Sequence, residues 1–186
     1  MYSPRIDQVS GIAYMEAMVR PRLWTDLPPE RVPVFKALRG AEGEKMVLQD
    51  NFFIEKMLFE AGIIRTLTDA EKQVYRAPFA EPGESRLPTL LWPREIVFDG
   101  EPADNYPLIK RYSDWLAQSA SVPKLFVNAD MGHGLAGAAR DFCRTWPNQR
   151  EITVHAKHYV QEDCPHEIGA ALADFVSEVR AGTFTP

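Results

Sequence analysis

The sequence predicts an α/β protein with a small parallel sheet, flanking helices and a large helical insertion. An apolar run at Ile12–Met15 predicts a short buried strand, and strand and helix patterns alternate over Lys124–Val179. Such alternation is typical of parallel strands that helices cover on both faces. Between residues 19 and 121, helical periodicity is repeatedly broken by prolines. We therefore expect residues 1–18 and 122–186 to form the α/β core and residues 19–121 to form a helical domain.

The composition is that of an ordinary globular protein, because 45% of the 186 residues are hydrophobic and 25% are charged. The formal net charge of −5 argues against nucleic acid or an anionic membrane as a partner, since both need a basic surface. The sequence has no apolar run of about 18 residues and no signal-peptide pattern. Two cysteines do not make a disulfide framework. We expect a soluble cytoplasmic protein, with the periplasm not excluded.

Local signals predict several short helices in the middle region. Pro28 and Pro29 open the first helix, because proline is favoured at the first helical positions. Residues Thr68–Glu71 form a capping-box pattern that starts another helix. Leu90–Pro93 is an apolar segment that we expect its proline to stop. Two further helical stretches are expected over Glu44–Leu58 and Ala103–Ala117.

The last region contains four predicted elements. They are a strand at Lys124–Ala129, a helix at Gly134–Trp146, a strand at Glu151–Val154 and a helix at Pro165–Val179. Functional groups of open α/β sheets gather at the carboxyl ends of the strands. The residues that directly follow each strand are therefore the first candidates for a site.

A glycine-rich motif follows the strand at Lys124–Ala129. Residues 132–137 fit the pattern G-x-G-x-x-G, which in dinucleotide-binding proteins brings a pyrophosphate to a helix N-terminus. A single further strand follows the motif, so a complete nucleotide-binding fold does not fit behind it. The favoured interpretation is a glycine-rich turn between a strand and a helix.

Three polar residues come after the three predicted strands. Glu16 follows the first strand, Asp130 the second and His158 the third. A carboxylate in such a place is costly to bury unless it is paired, and a histidine at the same edge is a natural partner. Alternatively, Glu16 and Asp130 each favour the start of a following helix. His158 is alternatively an ordinary exposed histidine.

Two kinds of site lack support in the sequence. The four histidines, His133, His155, His158 and His166, do not fall into a His-Glu-x-x-His pattern, and there is no Cys-x-x-Cys, so a zinc site is not predicted. The chain also contains no G-x-S-x-G elbow or aspartate variant of it. Asp130 comes nearest to such a nucleophile, but the residue two positions before it is not glycine.

Six segments of the chain together match the motifs of one known family. They are Gly11–Ala17, Val47–Asn51, Pro88–Arg94, Pro123–Ala129, Asp141–Gln149 and His158–Asp163. In these segments the chain resembles haloalkane dehalogenases of the α/β-hydrolase superfamily. The resemblance runs in order from about Val9 to Val179 and so covers nearly the whole chain. It implies the C-terminal portion of an α/β-hydrolase fold, with three parallel strands and with residues 19–121 as an inserted helical cap.

The resemblance also implies a reaction. His158 matches the base that activates water, and Glu16 matches the acid that holds this histidine. In the family an aspartate attacks the halogen-bearing carbon and forms an alkyl ester, which water hydrolyses to an alcohol while a halide and a proton are released. Neither a metal nor an organic cofactor takes part.

The pocket wall of the family is matched by nine residues. They are Met18, Leu27, Phe35, Phe53, Met57, Trp92, Pro93, Ile96 and Tyr159. An apolar wall of this kind suits a small, uncharged halogenated alkane as the substrate.

The family's nucleophilic aspartate lies before the part that this chain resembles. We therefore expect the chain alone to be inactive. Its expected partner is a missing N-terminal segment, or a second copy that associates through the exposed edge of the first strand. The alternatives are a non-catalytic remnant or binding module and a related epoxide hydrolase or esterase.

Overall fold

The structure, a computed structural model, describes residues 8–186. The chain divides into two compact units. The helical unit is Arg20–Lys110, and the sheet unit combines the segment up to Val19 with Arg111–Pro186. Within residues 8–186, no helix is both long enough and apolar enough to cross a membrane.

Short helices make up the helical unit. They are α1 (Val32–Arg39), α2 (Glu42–Glu44), two π-helical segments (Lys45–Gln49 and Phe53–Ala61), α3 (Asp69–Arg76) and α4 (Leu87–Glu95), with 3-10 turns at Trp24–Asp26, Ala77–Phe79 and Glu84–Arg86. The predicted capping box is confirmed, because the Thr68 hydroxyl accepts from the Glu71 amide and the Glu71 carboxylate accepts from the Thr68 amide. α1 begins later than predicted, since the amide of Arg31 donates to the Pro28 carbonyl in a preceding turn.

The prediction that Pro93 stops a helix is wrong. α4 continues through this residue and ends at Glu95. Proline near a helix end removes one helical hydrogen bond, and the carbonyls of the last turn need other partners. Arg39 provides them, because its guanidinium donates to the carbonyls of Pro93 and Ile96 at 2.9 and 2.6 Å.

Among the described residues of the helical unit, two groups of apolar side chains are buried together. One is formed by Leu27, Phe35 and Phe98, and the other by Leu38, Val47 and Leu90. The members of each cluster come from different helices and loops. The short helices are therefore held by their shared cores, since helices of this length are marginal in isolation.

Three parallel strands form the sheet, in the order β1 (Ile12–Tyr14), β2 (Lys124–Ala129) and β3 (Gln149–Val154). The predicted parallel sheet is confirmed. β1 ends one residue earlier and β3 begins two residues earlier than predicted. Within the described residues, β1 and β3 are the edge strands.

Helices cover both faces of this sheet. The remaining helices in residues 8–186 are α5 (Tyr106–Gln118), α6 (Gly137–Arg144), α7 (Val160–Asp163) and α8 (Pro165–Ala181). Alternate residues of a strand point to opposite faces. Leu125 and Val127 accordingly pack in one cluster with Phe175 of α8, and Phe126 packs in the other with Cys143 of α6.

Lys124 is fully buried at the start of β2. Its ammonium group donates to the carbonyls of Ser119, Val122 and Pro147 at 2.7, 2.9 and 3.0 Å. All three donors of the ammonium group are therefore satisfied by the backbone, which makes a buried charge tolerable. Burial lowers the pKa of Lys124 below its usual value.

Candidate active site

Glu16 lies two residues beyond the end of β1. Its side chain is only 4% exposed, and its backbone has a φ of 42°. A non-glycine residue in this left-handed region is uncommon, and such residues concentrate at functional sites. The alternative that Glu16 begins a helix is wrong, because the next helical turn is Trp24–Asp26.

Three consecutive backbone amides donate to the Glu16 carboxylate. They belong to the glycine loop, which we define as Gly132–Leu135. The amides of His133 and Gly134 lie 2.9 and 2.7 Å from Oε2, and the amide of Leu135 lies 3.0 Å from Oε1. Successive amides that point at one anion form a nest, which stabilises a buried negative charge.

Two positions of the glycine loop cannot carry a side chain. A Cβ atom at Gly132 would lie 2.3 Å from Oε1 of Glu16, and one at Gly134 would lie 2.7 Å from the Glu16 carbonyl oxygen. Both distances are far below van der Waals contact. The glycine-rich motif therefore serves a close approach between two segments of this chain.

The ligand of the glycine loop is thus an internal carboxylate. This explains why the helix predicted over Gly134–Trp146 is shorter, with α6 at Gly137–Arg144. The amides of residues 133–135 point at Glu16, so these residues do not enter the helix. The interpretation as a strand-to-helix turn is confirmed, and the same amides cannot also hold a pyrophosphate.

His158 meets Glu16 from the segment that follows β3. Its Nδ1 atom lies 2.9 Å from Oε2 of Glu16, and its side chain is 33% exposed. An ionised carboxylate can only accept, so Nδ1 carries the proton of this bond. In the neutral ring Nε2 then has a free lone pair. The pair therefore has the arrangement of a general base oriented by an acid.

The environment of Glu16 keeps it ionised. Burial raises the pKa of its carboxyl group, but the hydrogen bonds from His158, Leu135 and Gly134 lower it more, and the pKa falls to about 2. The carboxylate therefore stays negative throughout the neutral range. It can orient the His158 ring and stabilise the imidazolium that forms when the ring takes a proton.

Two aromatic rings flank the His158 imidazole. The ring centroid of His133 lies 4.6 Å away with an angle of 30° between the planes, and that of Tyr159 lies 5.1 Å away at 74°. Burial raises the pKa of Tyr159 to about 12, so its hydroxyl stays protonated at neutral pH. Sequence reasoning missed His133, whose place between two glycines was the available signal.

Asp130 pairs with a different histidine. Its carboxylate contacts Nδ1 of His155 at 2.8 Å and accepts from the amide of Ala156 at 3.1 Å. The alternative that Asp130 caps the following helix is therefore wrong, since α6 begins seven residues later, at Gly137. The side chains of His155 and Asp130 are 69% and 41% exposed.

The residues predicted as pocket wall are divided between the two units. In the helical unit, Leu27 and Phe35 are buried together, and Met57 and Ile96 pack against them. Pro93 is fully buried in α4, whereas Trp92 beside it is 61% exposed. Phe53 is half-buried in a π-helical segment.

The other two predicted wall residues lie in the sheet unit. Tyr159 contacts His158 directly. The carbonyl of Met18 accepts from the Tyr112 hydroxyl at 3.0 Å. Of the nine predicted residues, Tyr159 is thus the one that the structure brings into contact with the Glu16–His158 pair within the sheet unit.

Known proteins share much of this sequence. A haloalkane dehalogenase from Sphingobium indicum is 51% identical over 174 residues, and one from Mycolicibacterium smegmatis is 47% identical over 178 residues. This chain is homologous to haloalkane dehalogenases. These matches cover 94% and 95% of the chain but only 58% and 56% of the two relatives. No protein-family model matches the chain.

A relative with another activity is more distant. A coelenterazine h 2-monooxygenase from Renilla reniformis is 37% identical over 175 residues and is covered to 55% of its length. The resemblance to haloalkane dehalogenases that the sequence predicts is nevertheless confirmed, because the enzymes from Sphingobium indicum and Mycolicibacterium smegmatis are 51% and 47% identical to this chain.

Solved structures of haloalkane dehalogenases also share the fold. One from Bradyrhizobium elkani superposes with a TM-score of 0.86 at 34% identity, covering 96% of this chain and 63% of that one. One from Agrobacterium tumefaciens has a TM-score of 0.83 at 30% identity, covering 93% and 60%. The predicted α/β-hydrolase fold class is thereby confirmed.

Proposed function

We propose that this chain supplies the acid–base part of a haloalkane dehalogenase, with His158 as the general base and Glu16 as the acid that orients it. The observation that carries the proposal is the bond of 2.9 Å between His158 Nδ1 and a carboxylate that three amides hold in a buried place. The homology to haloalkane dehalogenases gives this pair its reaction.

The proposed reaction has two steps. In the first, an aspartate carboxylate attacks the halogen-bearing carbon, the carbon–halogen bond breaks and a halide leaves, which gives an alkyl ester. In the second, Nε2 of His158 takes a proton from water while the water oxygen attacks the ester carbonyl. The intermediate then collapses: its ester C–O bond breaks, its hydroxyl proton passes to the departing alkoxide to give the alcohol, and the aspartate carboxylate is regenerated. The imidazolium finally loses its proton to solvent. No metal and no organic cofactor enters either step.

The state of Glu16 supports the second step. Because its pKa is about 2, the carboxylate is negative when His158 becomes positive. The amides of the glycine loop hold the carboxylate in place without needing its protonation. Water activation therefore requires no reorganisation of the acid, which is the condition for efficient electrostatic stabilisation.

The nucleophile is the part of the proposal that lies outside these residues. The sequence contains no elbow motif for it, and the chain spans only 58% of the relative from Sphingobium indicum. We infer that a further segment contributes the aspartate and the halide-binding groups. The 186 residues alone are then inactive, because the base has no ester to hydrolyse.

Halide release from a dibromoalkane tests the proposal. The purified chain is assayed alone and after addition of, or fusion to, the part of the Sphingobium indicum relative that the chain does not match. We expect no turnover from the chain alone and steady turnover from the combined protein. Turnover by the chain alone would contradict the inferred need for a nucleophile, and an inactive but folded combined protein would contradict the dehalogenase function.

Two histidine variants make this assay specific. In the combined protein, His158→Ala should lower turnover by about 100- to 10,000-fold, the usual contribution of a general base. His155→Ala is the matched control, because it also removes an imidazole that contacts a carboxylate at the sheet edge. We expect it to retain full activity.

Three other functions are outcomes of the same experiment. Hydrolysis of an epoxide or an ester in place of halide release would indicate a related hydrolase. Oxidation of coelenterazine h would indicate the activity of the Renilla reniformis relative. Binding of haloalkanes without turnover of any substrate, in a folded combined protein, would indicate a non-catalytic binding module.

We further propose that the helical unit is the cap that selects the substrate. Its buried apolar residues suit a small halogenated alkane that carries no charge. Replacing Trp92 tests this most directly, because its side chain is large and the residue is 61% exposed. Trp92→Ala in the combined protein should raise KM for dibromoalkanes and leave the kcat of hydrolysis within about threefold.

The unpaired edge of β1 supports the proposed partner, which is either a further segment or a second copy of the chain. β1 pairs with β2 on one side, and within the described residues no strand pairs with its other side. Unpaired edges promote association, and a charged residue on the edge opposes it. We expect the chain to self-associate at micromolar concentration and Ala13→Lys to reduce this in light scattering. We also propose the cytoplasm as its compartment, which fractionation of the source cells would test.

A further inference from the structure

His133 lies beside the proposed base but has no part in the proposed reaction. Its ring contacts the His158 ring at a tilt, with 4.6 Å between the centroids and 30° between the planes, and we call this tilted contact the His133–His158 stack. Tyr159 approaches the same imidazole edge-on at 5.1 Å. The His158 ring is therefore held at Nδ1 by Glu16 and bounded by two further rings.

The hydrogen bond to Glu16 leaves one motion of the His158 ring free. The side chain is anchored at Cβ by the backbone and at Nδ1 by the hydrogen bond, but the ring plane can still rock about the line that joins these two anchors. A second ring in tilted contact with one face opposes this rocking, because the motion would either press the rings together or separate them. The direction of Nε2, where a water proton would be taken, depends on this plane.

The backbone of His133 is itself fixed by Glu16. Its amide and the amide of Gly134 both donate to Oε2, the atom that also accepts from His158. One carboxylate oxygen thus positions the backbone that carries one ring and the Nδ1 atom of the other. The stack is therefore built into the site and does not depend on a freely rotating surface histidine.

A metal site is the competing explanation for this cluster. One ligand atom each from Glu16, His133 and His158 can be chosen so that all three lie within 4.8 Å of one another. However, Oε2 of Glu16 already accepts from three donors, the amides of His133 and Gly134 and Nδ1 of His158. A metal ion bound to this oxygen would have to displace at least one of them, because each carboxylate oxygen offers about two lone-pair sites.

We propose that His133 is a positioning residue whose ring fixes the plane of the His158 imidazole for water activation. This inference rests on the proposed function for its catalytic meaning. A neutral His133 ring also presents its π face to the imidazolium that forms when His158 takes the proton, an arrangement that favours the cation. His133 touches neither the water nor the ester in this role.

Imidazole NMR of the chain tests the positioning without any activity. At pH 8, the proton on Nδ1 of His158 should give a low-field resonance, which His158→Gln identifies by removing it. We expect His133→Ala and His133→Leu to reduce its intensity at least twofold through faster exchange, and His133→Phe to preserve it. His166→Ala is the control, since His166 is an exposed histidine on α8.

The variants separate stacking from bulk and from misfolding. His133→Leu keeps volume without an aromatic face, and His133→Phe keeps the face without nitrogen. An unchanged resonance in His133→Ala, or equal behaviour of the Leu and Phe variants, would overturn the proposal. Backbone amide spectra show which variants are folded. If His133→Ala is not folded, the comparison of His133→Leu with His133→Phe decides whether the aromatic face is required.

Activity gives the second measurement, in the combined protein. His133→Ala should lower kcat about tenfold and leave KM within about twofold, because a misdirected base slows the chemical step and not substrate binding. His133→Phe should restore kcat to within about twofold. If the combined protein has no halide release at all, the proposed function fails while the NMR result still decides the positioning.

Calorimetry with Zn²⁺ decides between a stack and a metal site. We expect no binding that His133→Ala removes. Stoichiometric Zn²⁺ binding to the chain, abolished by His133→Ala and retained by His166→Ala, would overturn the proposal and assign the cluster to a metal.

Discussion

Two carboxylate–imidazole pairs lie at the carboxyl ends of strands of the same sheet, and they share little beyond their hydrogen bond. The distance is 2.9 Å from Glu16 to His158 and 2.8 Å from Asp130 to His155, with Nδ1 of the ring in both cases. The side chains of the first pair are 4% and 33% exposed, and those of the second are 41% and 69% exposed.

The difference shows that the hydrogen bond alone does not make a candidate active site. In both pairs it lowers the pKa of the carboxyl group. In the exposed pair, however, water competes for both partners, so the orientation of His155 is weakly enforced. The buried pair has three backbone amides around the acid and a stacked ring beside the base. Enclosure by the backbone gives Glu16 and His158 their fixed geometry.

Removing the charge of each acid should give the largest difference between the two pairs in the free energy of unfolding. Glu16→Gln places an amide NH₂ group among three N–H donors, and we expect it to lower the free energy of unfolding by about 3 kcal/mol. Asp130→Asn should leave the free energy of unfolding unchanged within error, because water replaces the lost contact. Urea denaturation of both variants measures this, and equal losses would mean that enclosure contributes nothing.

Low pH should also lower the free energy of unfolding through the buried pair, because it removes the charge of Glu16. The pKa of Glu16 is about 2 in the folded chain and near 4.5 in a model peptide, so the unfolded chain binds the proton more readily. The stabilisation is complete above about pH 4.5 and is lost as the pH falls toward 2. Urea midpoints across this window should fall for the natural chain, and the contribution of Glu16 to that fall should be missing in Glu16→Gln. Identical pH dependence in both would contradict the low pKa.

The glycine loop tests enclosure without changing any charge. Gly132→Ala introduces a Cβ that overlaps the Glu16 carboxylate and the Cβ of Ala129, and we expect a loss of about 2 kcal/mol. Gly169→Ala in α8 is the matched control, because no atom lies within 4 Å of its Cβ. It should stabilise the chain by about 0.5 kcal/mol. Thermal unfolding that shows the same change in both would argue against a close fit.

Removal of the bases should give the smallest effects. His158→Ala leaves three amide donors on Glu16, so we expect a loss of about 1 kcal/mol in the free energy of unfolding. His155→Ala should have no measurable effect, since that ring is 69% exposed. A larger loss for His155→Ala in urea denaturation would reverse the ranking of the two pairs.

The sequence predicted the sheet and the residues at its carboxyl edge because both depend on local patterns. Strand periodicity identified β2, and the residues that follow the strands gave Glu16, Asp130 and His158 as candidates. Their positions after two strands of one sheet made a histidine a natural partner for Glu16, but they left a helix start as the alternative. The resemblance to a family assigned Glu16 and His158 to one pair, as acid and base.

What the sequence did not predict depends on contacts between distant segments. Glu16, which accepts from the amides of the glycine loop, lies 117 to 119 residues before these donors, so no local pattern indicates an internal anion. The shortened start of α6 has the same origin. The helix through Pro93 depends on Arg39, which lies 54 residues away from it. The stack of His133 on His158 requires both the loop and the strand to be in place.

The glycine loop is an anion-binding site whose anion, the Glu16 carboxylate, belongs to the same chain. In other proteins a comparable run of amides binds a phosphate from solution, whereas here the anion is covalently attached to the polypeptide. The loop can therefore never be emptied, competed for or regulated by an outside anion while Glu16 is present. We therefore expect the acid and the two glycines to covary in evolution. A related protein without Glu16 would no longer need glycine at positions 132 and 134.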